Sequence, residues 1–132
     1  MDTETNSKLI VIVEDHPETA ALIAECVSEE PGYETVIAGD AGSGLEMIHA
    51  RRPDLVLLDA WLPDVNGFQL YDTLHEESST SDIPVIFITT SSAPAMAEHL
   101  EKRHIESFIA KPFELEYLLS RVREAVENPS GQ

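Results

Sequence analysis

The segment Leu55-Val56-Leu57-Leu58-Asp59 is the strongest indicator of the fold in this sequence. Four consecutive apolar residues end in a carboxylate, and Pro53 and Pro63 lie on either side of the segment. Such a run is too short for a buried helix and is typical of a central parallel strand that is covered on both faces. In open α/β sheets, ligands bind beyond the carboxyl ends of the strands. Asp59 is therefore either an acid at a ligand crevice or an Asp that stabilises a turn.

Further apolar segments at residues 8–13, 33–38, 84–89 and 107–110 are also typical of strands, and each strand precedes a helical pattern. The last helix, for example, places five apolar residues on one face: Leu115, Leu118, Leu119, Val122 and Val126. A β-α unit repeated five times predicts a parallel sheet with right-handed crossovers. We expect an α/β, flavodoxin-like, doubly wound sandwich with the strand order 2-1-3-4-5. The domain is predicted to span residues 8–127, after a polar tail at 1–7 and before a tail or linker at 128–132.

Composition excludes several classes of protein. The length of 132 residues predicts one domain, and a net charge of −17 argues against direct contact with nucleic acid. The single cysteine, Cys26, excludes an internal disulfide framework. No apolar run approaches the roughly 18 residues that a membrane span needs, and the acidic N-terminus does not resemble a signal peptide. We expect a cytoplasmic protein without membrane contact.

Polar residues follow four of the five predicted strands. Glu14-Asp15 follow the first strand and Asp59 ends the third. In the order 2-1-3-4-5, strands one and three are neighbours at the switch point, so these three carboxylates would crowd one crevice. Their mutual repulsion and desolvation are costly, and a divalent cation removes that cost. Because the ligands are oxygens, without Cys or His, the pattern favours Mg²⁺.

The other two strand ends carry groups that suit a phosphoryl group. Thr89 offers a hydroxyl donor and Lys111 a positive charge. With Asp59 as the nucleophile, this arrangement indicates phosphoryl transfer to a carboxylate. Each residue also has an ordinary explanation, such as helix capping by the acids, strand propensity of Thr89 or a solvated Lys111.

The joint order and spacing of these residues resembles the receiver domain of response regulators in two-component signalling. The resemblance covers residues 8–126 and includes the segment Leu62-Pro63-Asp64-Val65-Asn66-Gly67 behind the third strand. It implies that Asp59 is the phosphoacceptor, that Asp15 is a direct Mg²⁺ ligand and that Glu14 is a ligand through water. The backbone carbonyl of Trp61 is implied as a further ligand.

The resemblance also assigns roles beyond the metal. It makes Thr89 the switch hydroxyl, Lys111 the phosphate-binding lysine and Phe108 the switch aromatic that turns inward on activation. Many relatives have Tyr at this last position, and Phe108 lacks the hydroxyl. The Lys111-Pro112 bond is implied to be a candidate cis peptide.

The resemblance further implies partners. A histidine kinase or histidine phosphotransfer protein would donate the phosphoryl group. A downstream effector would bind the surface of the fourth helix, fifth strand and fifth helix, where a homodimer is also possible. The chain would not be an enzyme beyond its own phosphorylation and dephosphorylation.

Three alternatives remain at the level of the sequence. A degenerate receiver could bind partners without phosphorylation. A phosphatase resembling the haloacid dehalogenases would need a second Asp two residues after the nucleophile, where Trp61 stands. A flavodoxin would need a phosphate-cradling loop at Glu14-Asp15, which would repel the phosphate. The sequence is compatible with a stand-alone regulator and with a piece of a longer regulator or hybrid kinase.

Overall fold

The computed structural model describes residues 7–89, 94–105 and 107–128, with the backbone alone at residues 89, 94 and 95. Its strands form one parallel sheet in the order β2-β1-β3-β4-β5, which confirms the predicted topology. The strands are β1 (Lys8–Val13), β2 (Tyr33–Ala38), β3 (Leu55–Asp59), β4 (Val85–Thr89) and β5 (Phe108–Ala110). The described helices are α1 (Pro17–Ser28), α2 (Ala41–Arg51), α3 (Gly67–Glu76), α4 (Pro94–Lys102) and α5 (Leu115–Glu127).

Two strands begin one residue later than predicted, at Val85 and Phe108. The residues before them still take part in the sheet through their carbonyl groups. The carbonyl of Pro84 accepts a hydrogen bond from the Val56 N–H at 3.0 Å, and that of Ser107 accepts one from the Phe87 N–H at 3.0 Å. Pro84 has no N–H to donate to a ladder, which explains why the regular pairing of β4 starts after it.

The register aligns the ends of the central strands. Val13 of β1 pairs with Leu58 of β3, so the next residues, Glu14 and Asp59, emerge side by side. On the other side of β3, Thr89 at the end of β4 pairs with Ala110 of β5, which directly precedes Lys111. Parallel strands end at the same edge of a sheet, and four of the predicted site positions therefore share that edge.

Alternation along the strands divides the interior into two cores. Val11, Val13, Val56 and Leu58 pack with apolar residues of α2, α3 and α4. Ile10, Ile12, Leu55 and Leu57 pack on the other face with residues of α1 and α5. These two faces are the layers of a doubly wound fold, and they hold the carboxyl edge of the sheet in place.

One glycine has a clear steric role at this edge. The Gly67 N–H at the start of α3 donates a 2.7 Å hydrogen bond to the carbonyl of Ala60. A Cβ at Gly67 would overlap the backbone carbonyl oxygen of Asp59. Glycine therefore allows α3 to begin directly against the end of β3.

The two predicted tails lie outside the described residues, apart from Ser7 and Asn128. Within the part of the chain that is described, none of the helices has the length and apolar character needed to cross a membrane.

Candidate functional site

Asp59 is a buried carboxylate at the end of β3, with 3% of its surface exposed. Its Oδ1 accepts a 3.1 Å hydrogen bond from the backbone N–H of Trp61. Burial raises the pKa of Asp59 to about 7, and the nearby charge of Glu14 contributes to the rise. The Trp61 N–H and the charge of Lys111 act in the opposite direction without cancelling it. Asp59 is thus destabilised as an anion in the absence of further positive charge.

Glu14 is equally buried, at 3% exposure, but it has several donors. Lys111 Nζ donates to its Oε1 at 3.0 Å. Its Oε2 lies 3.2 Å from the backbone N–H of His16 and 3.0 Å from His16 Nδ1. Burial acts to raise the pKa of Glu14, but the hydrogen bonds from His16 and Lys111 outweigh it and hold the pKa below its usual value. Glu14 is therefore an ionised group beside Asp59.

Asp15 completes the acidic group. Its Oδ1 is buried and has no hydrogen-bond partner among the described residues, although His16 Nδ1 lies 3.4 Å away. One ligand atom from each of Glu14, Asp15, His16 and Asp59 lies within 4.8 Å of the others. An unpaired buried carboxylate oxygen is costly unless a cation or donor meets it. These carboxylate oxygens suit Mg²⁺, which prefers hard oxygen ligands.

Four of the site residues named from the sequence thus lie together at one edge of the sheet: Glu14, Asp15, Asp59 and Lys111. The backbone of Thr89 lies at this edge through its pairing with Ala110, while its side chain is outside the description, so its hydroxyl role stays a prediction. Phe108 in β5 is 40% exposed.

The remaining backbone predictions concern Trp61 and Pro112. The peptide bond between Lys111 and Pro112 is cis. The role of the Trp61 carbonyl as a ligand stays a prediction.

His16 also belongs to this group of residues. Its ring is largely exposed, yet Nδ1 contacts both acids. The hydrogen bond to Glu14 raises the pKa of His16, with a further contribution from Asp15. Its position directly after the acidic pair was the available signal.

Asp64 has a structural role that its local sequence does not reveal. Its carboxylate accepts hydrogen bonds from the N–H groups of Ala41 and Gly42, at 3.0 Å each. The Ala41 N–H makes the largest contribution to lowering the pKa of Asp64. Asp64 therefore caps the start of α2 from a loop more than twenty residues away, and only the tertiary structure brings the two together.

The response regulator receiver domain family matches this chain over residues 10–123. Among curated relatives, the nitrogen assimilation regulatory protein NtrX of Azorhizobium caulinodans is 35% identical over 89% of this chain and 26% of its own length. Protein PilH of Pseudomonas aeruginosa is 31% identical over 86% of this chain and 93% of its own length. A hybrid signal transduction histidine kinase, D, of Dictyostelium discoideum is 30% identical over 89% of this chain. The chain spans only 7% of that kinase.

Solved structures agree with these relatives. A CheY-like receiver domain protein from Methanospirillum hungatei superposes with a TM-score of 0.84 at 27% identity. The superposition covers 94% of this chain and 97% of the other. The match of fold therefore extends over nearly the whole length of both chains. From the family match, the arrangement of the sheet and the acidic edge, we conclude that this chain belongs to the response regulator receiver domains of two-component signalling.

Proposed function

We propose that this receiver is a cytoplasmic phosphorelay protein that accepts a phosphoryl group on Asp59 in a reaction that depends on Mg²⁺. The donor is a phosphohistidine of a histidine kinase or of a histidine phosphotransfer protein. The observation that carries the proposal is the pair of carboxyl groups, Glu14 and Asp59, that are 3% exposed beside Lys111. Such a group of buried charges costs stability, and strongly shifted acids in a crevice are typical of functional sites.

The transfer needs only one nucleophile. An oxygen of the Asp59 carboxylate attacks the phosphorus atom while the bond from phosphorus to the histidine nitrogen breaks. The bonding electron pair stays on the imidazole nitrogen, and Asp59 becomes an acyl phosphate. Positioning and electrostatics supply most of the acceleration in phosphoryl transfer, so few other groups are required.

Lys111 is the residue of this chain that would hold the phosphoryl oxygens. It now donates to Glu14, but an ammonium group has three donors and can bind Glu14 and a phosphoryl oxygen together. We assign the same task to the Thr89 hydroxyl on the basis of the family resemblance.

Glu14, Asp15 and Asp59 would hold the metal, together with the Trp61 carbonyl that the resemblance implies. Bound Mg²⁺ would supply the positive charge that keeps these acids ionised and stabilises the phosphoryl oxygens. The unpaired Oδ1 of Asp15 supports this assignment.

The output is proposed to leave through α4, β5 and α5. Phe108 on β5 and Tyr117 on α5 are large side chains that are 40% and 49% exposed. Exposed aromatic residues are enriched at the centres of protein interfaces, so they suit a downstream effector. The phosphorylated and free forms would differ in how well this surface binds the effector.

The decisive experiment compares the wild type with Asp59→Asn. We expect Mg²⁺ followed by beryllium fluoride to change the fluorescence of Trp61, the single tryptophan, in the wild type only. A phosphodonor such as acetyl phosphate should add the mass of one phosphoryl group to the wild type and none to the variant.

Asp82→Asn is the matched control, because Asp82 is an exposed carboxylate near the opposite end of the sheet. It removes the same charge and should behave like the wild type. A wild type that neither responds nor gains mass would identify a degenerate receiver that binds its partners without phosphorylation.

A further inference from the structure

A cluster of five side chains connects the loop after Asp59 with helix α4. We call it the Trp61–Arg103 cluster, and its members are Trp61, Phe68, Asp72, His99 and Arg103. They come from the β3–α3 loop, from α3, and from α4 with the turn that follows it.

Arg103 holds one end of this cluster. Its Nε and Nη2 donate to the two carboxylate oxygens of Asp72 on α3, each at 2.8 Å. Its Nη1 lies 3.0 Å from Nδ1 of His99 and 3.2 Å from the His99 carbonyl. A guanidinium can only donate, so Nδ1 of His99 is the acceptor and the ring proton is on Nε2. The fork of one arginine thus sets both the position and the tautomer of His99.

The ring of His99 in turn contacts aromatic residues of α3 and of the β3–α3 loop. Its ring stacks on Phe68, with centroids 4.6 Å apart and an angle of 11°. Phe68 stacks in turn on Phe87 of β4 at 4.7 Å, so it is backed by the sheet. The indole of Trp61 meets His99 edge-on at 6.4 Å and Phe68 at 6.1 Å. These separations are typical of aromatic pairs in contact.

Trp61 links the cluster to Asp59, since its backbone N–H donates to Oδ1 of Asp59. One residue therefore binds the reacting carboxylate through its backbone and α4 through its side chain. Three successive contacts lead from Arg103 through His99 and Trp61 to Asp59.

We propose that Arg103 and His99 are positioning residues for the phosphoacceptor loop, and that they couple occupancy of the Asp59 site to the position of α4 through the indole of Trp61. This route reaches α4 without passing through Thr89 or Phe108. The part that concerns occupancy rests on the proposed function of Asp59. The part that concerns the position of Trp61 stands on the cluster alone.

Contact by itself is not coupling, so the test measures the two ends separately. Trp61 is the single tryptophan, and 5-fluorotryptophan labels it with one ¹⁹F resonance. We expect Arg103→Ala to shift or broaden this resonance in metal-free protein, although Arg103 and Trp61 are far apart in the sequence. Arg103→Lys keeps the charge but loses the fork, and we expect a smaller change of the same kind.

Arg121→Ala is the matched control. Arg121 on α5 also packs against an aromatic ring, that of Tyr117 at 5.8 Å, and its loss should leave the Trp61 resonance unchanged. If the resonance stays at its wild-type position in folded Arg103→Ala and Arg103→Lys, the proposal is wrong whether or not Asp59 is phosphorylated.

The second measurement is a double-mutant cycle in which isothermal titration calorimetry gives the Mg²⁺ affinity of each variant. We expect Arg103→Ala to weaken Mg²⁺ binding about three- to tenfold in the wild-type background, and to have little further effect in Trp61→Phe. Equal effects in both backgrounds would show that the cluster does not act through Trp61. If the wild type binds neither Mg²⁺ nor beryllium fluoride, the proposed function fails, and the ¹⁹F result still decides whether Arg103 positions Trp61.

Discussion

Apolar residues inside β1 and β3, such as Ile12 and Leu57, are buried to nearly the same degree as the acidic residues Glu14 and Asp59 at the carboxyl ends of these strands. Ile12 and Leu57 are 0% exposed, and Glu14 and Asp59 are 3% exposed. Burial of apolar side chains stabilises the fold, whereas burial of carboxylates opposes it. The carboxyl edge of the sheet is therefore retained at a cost to stability, which the two cores offset.

A second contrast lies within that edge. Asp59 and Asp64 are five residues apart, yet burial raises the pKa of one and backbone donors lower the pKa of the other. Asp64 accepts three backbone N–H groups, from Ala41, Gly42 and Val65. Whether a carboxylate stabilises or destabilises the fold depends on how many donors it accepts and on how exposed it is.

The largest expected effect concerns the body of β3. Leu57→Ala removes a fully buried side chain from the core against α1 and α5, and should lower the free energy of unfolding by about 3 kcal/mol. Urea denaturation at fixed pH measures this loss. Leu57→Ile conserves the volume, and its cost should stay below about 1.5 kcal/mol. If both variants lost the same free energy of unfolding, the stability would not depend on tight packing around position 57.

The junction between body and edge should be almost as sensitive. Gly67→Ala places a methyl group against the Asp59 carbonyl, so either the end of β3 or the start of α3 must move. We expect the free energy of unfolding to fall by about 2 kcal/mol, as in overpacked cores, and Mg²⁺ binding to become weaker. Gly39→Ala is the matched control because no atom lies within 4 Å of the position that its methyl group would take. Unchanged unfolding and Mg²⁺ titrations in Gly67→Ala would contradict the close approach.

Substitution of the edge acid should have the opposite sign. In metal-free buffer at pH 8, Asp59→Asn should raise the free energy of unfolding by on the order of 2 kcal/mol, because the anion is no longer buried. The pKa of Asp59 is about 7 when folded, above the ordinary value of 3.8. The folded state therefore favours the protonated carboxyl of Asp59. The stability that this group contributes is fully present below pH 4 and is lost as the pH rises through 7. The gain in Asp59→Asn should grow over that range.

Two controls sharpen this prediction. Asp82→Asn removes one exposed charge from a chain of net charge −17, and so measures the relief of general repulsion. Mg²⁺ should stabilise the wild type and leave Asp59→Asn unchanged, because binding to the folded state alone raises stability. A gain in Asp59→Asn that does not vary with pH would refute the assignment to burial of the anion.

The smallest effect is expected at the exposed acid. Asp64→Ala should lower the free energy of unfolding by about 1 kcal/mol at pH 7, as the loss of a helix cap does. The folded pKa is lowered, so this contribution is present above the ordinary value of 3.8 and disappears as the pH falls below it. Thermal unfolding of Asp64→Ala and wild type at pH 7 and pH 3 measures the difference. A constant difference between the two pH values would exclude the charged cap.

The fold was predictable from the sequence because its signals are local. Continuous apolar runs such as Leu55 to Leu58 indicate buried parallel strands, and the alternation with helical patterns indicates the topology. The polar residues at strand ends could then be placed at one edge, which brought Glu14, Asp15, Asp59 and Lys111 into one prediction. Strand boundaries shifted by one residue at Pro84 and Ser107, whose carbonyls join the ladder although the residues lie outside it.

The sequence is sufficient to predict which elements form, because hydrophobic periodicity depends on residues close in sequence. The alternation of strand and helix patterns then predicts a parallel sheet, and with it the chemical groups that meet at the carboxyl edge. How those groups are solvated and paired depends on the packing of the whole domain. The raised pKa of Asp59, the cap that Asp64 provides for α2, and the contact of Trp61 with His99 each depend on burial or on partners distant in sequence. Spacing along the chain carries no information about such contacts, since they arise when separate elements pack together.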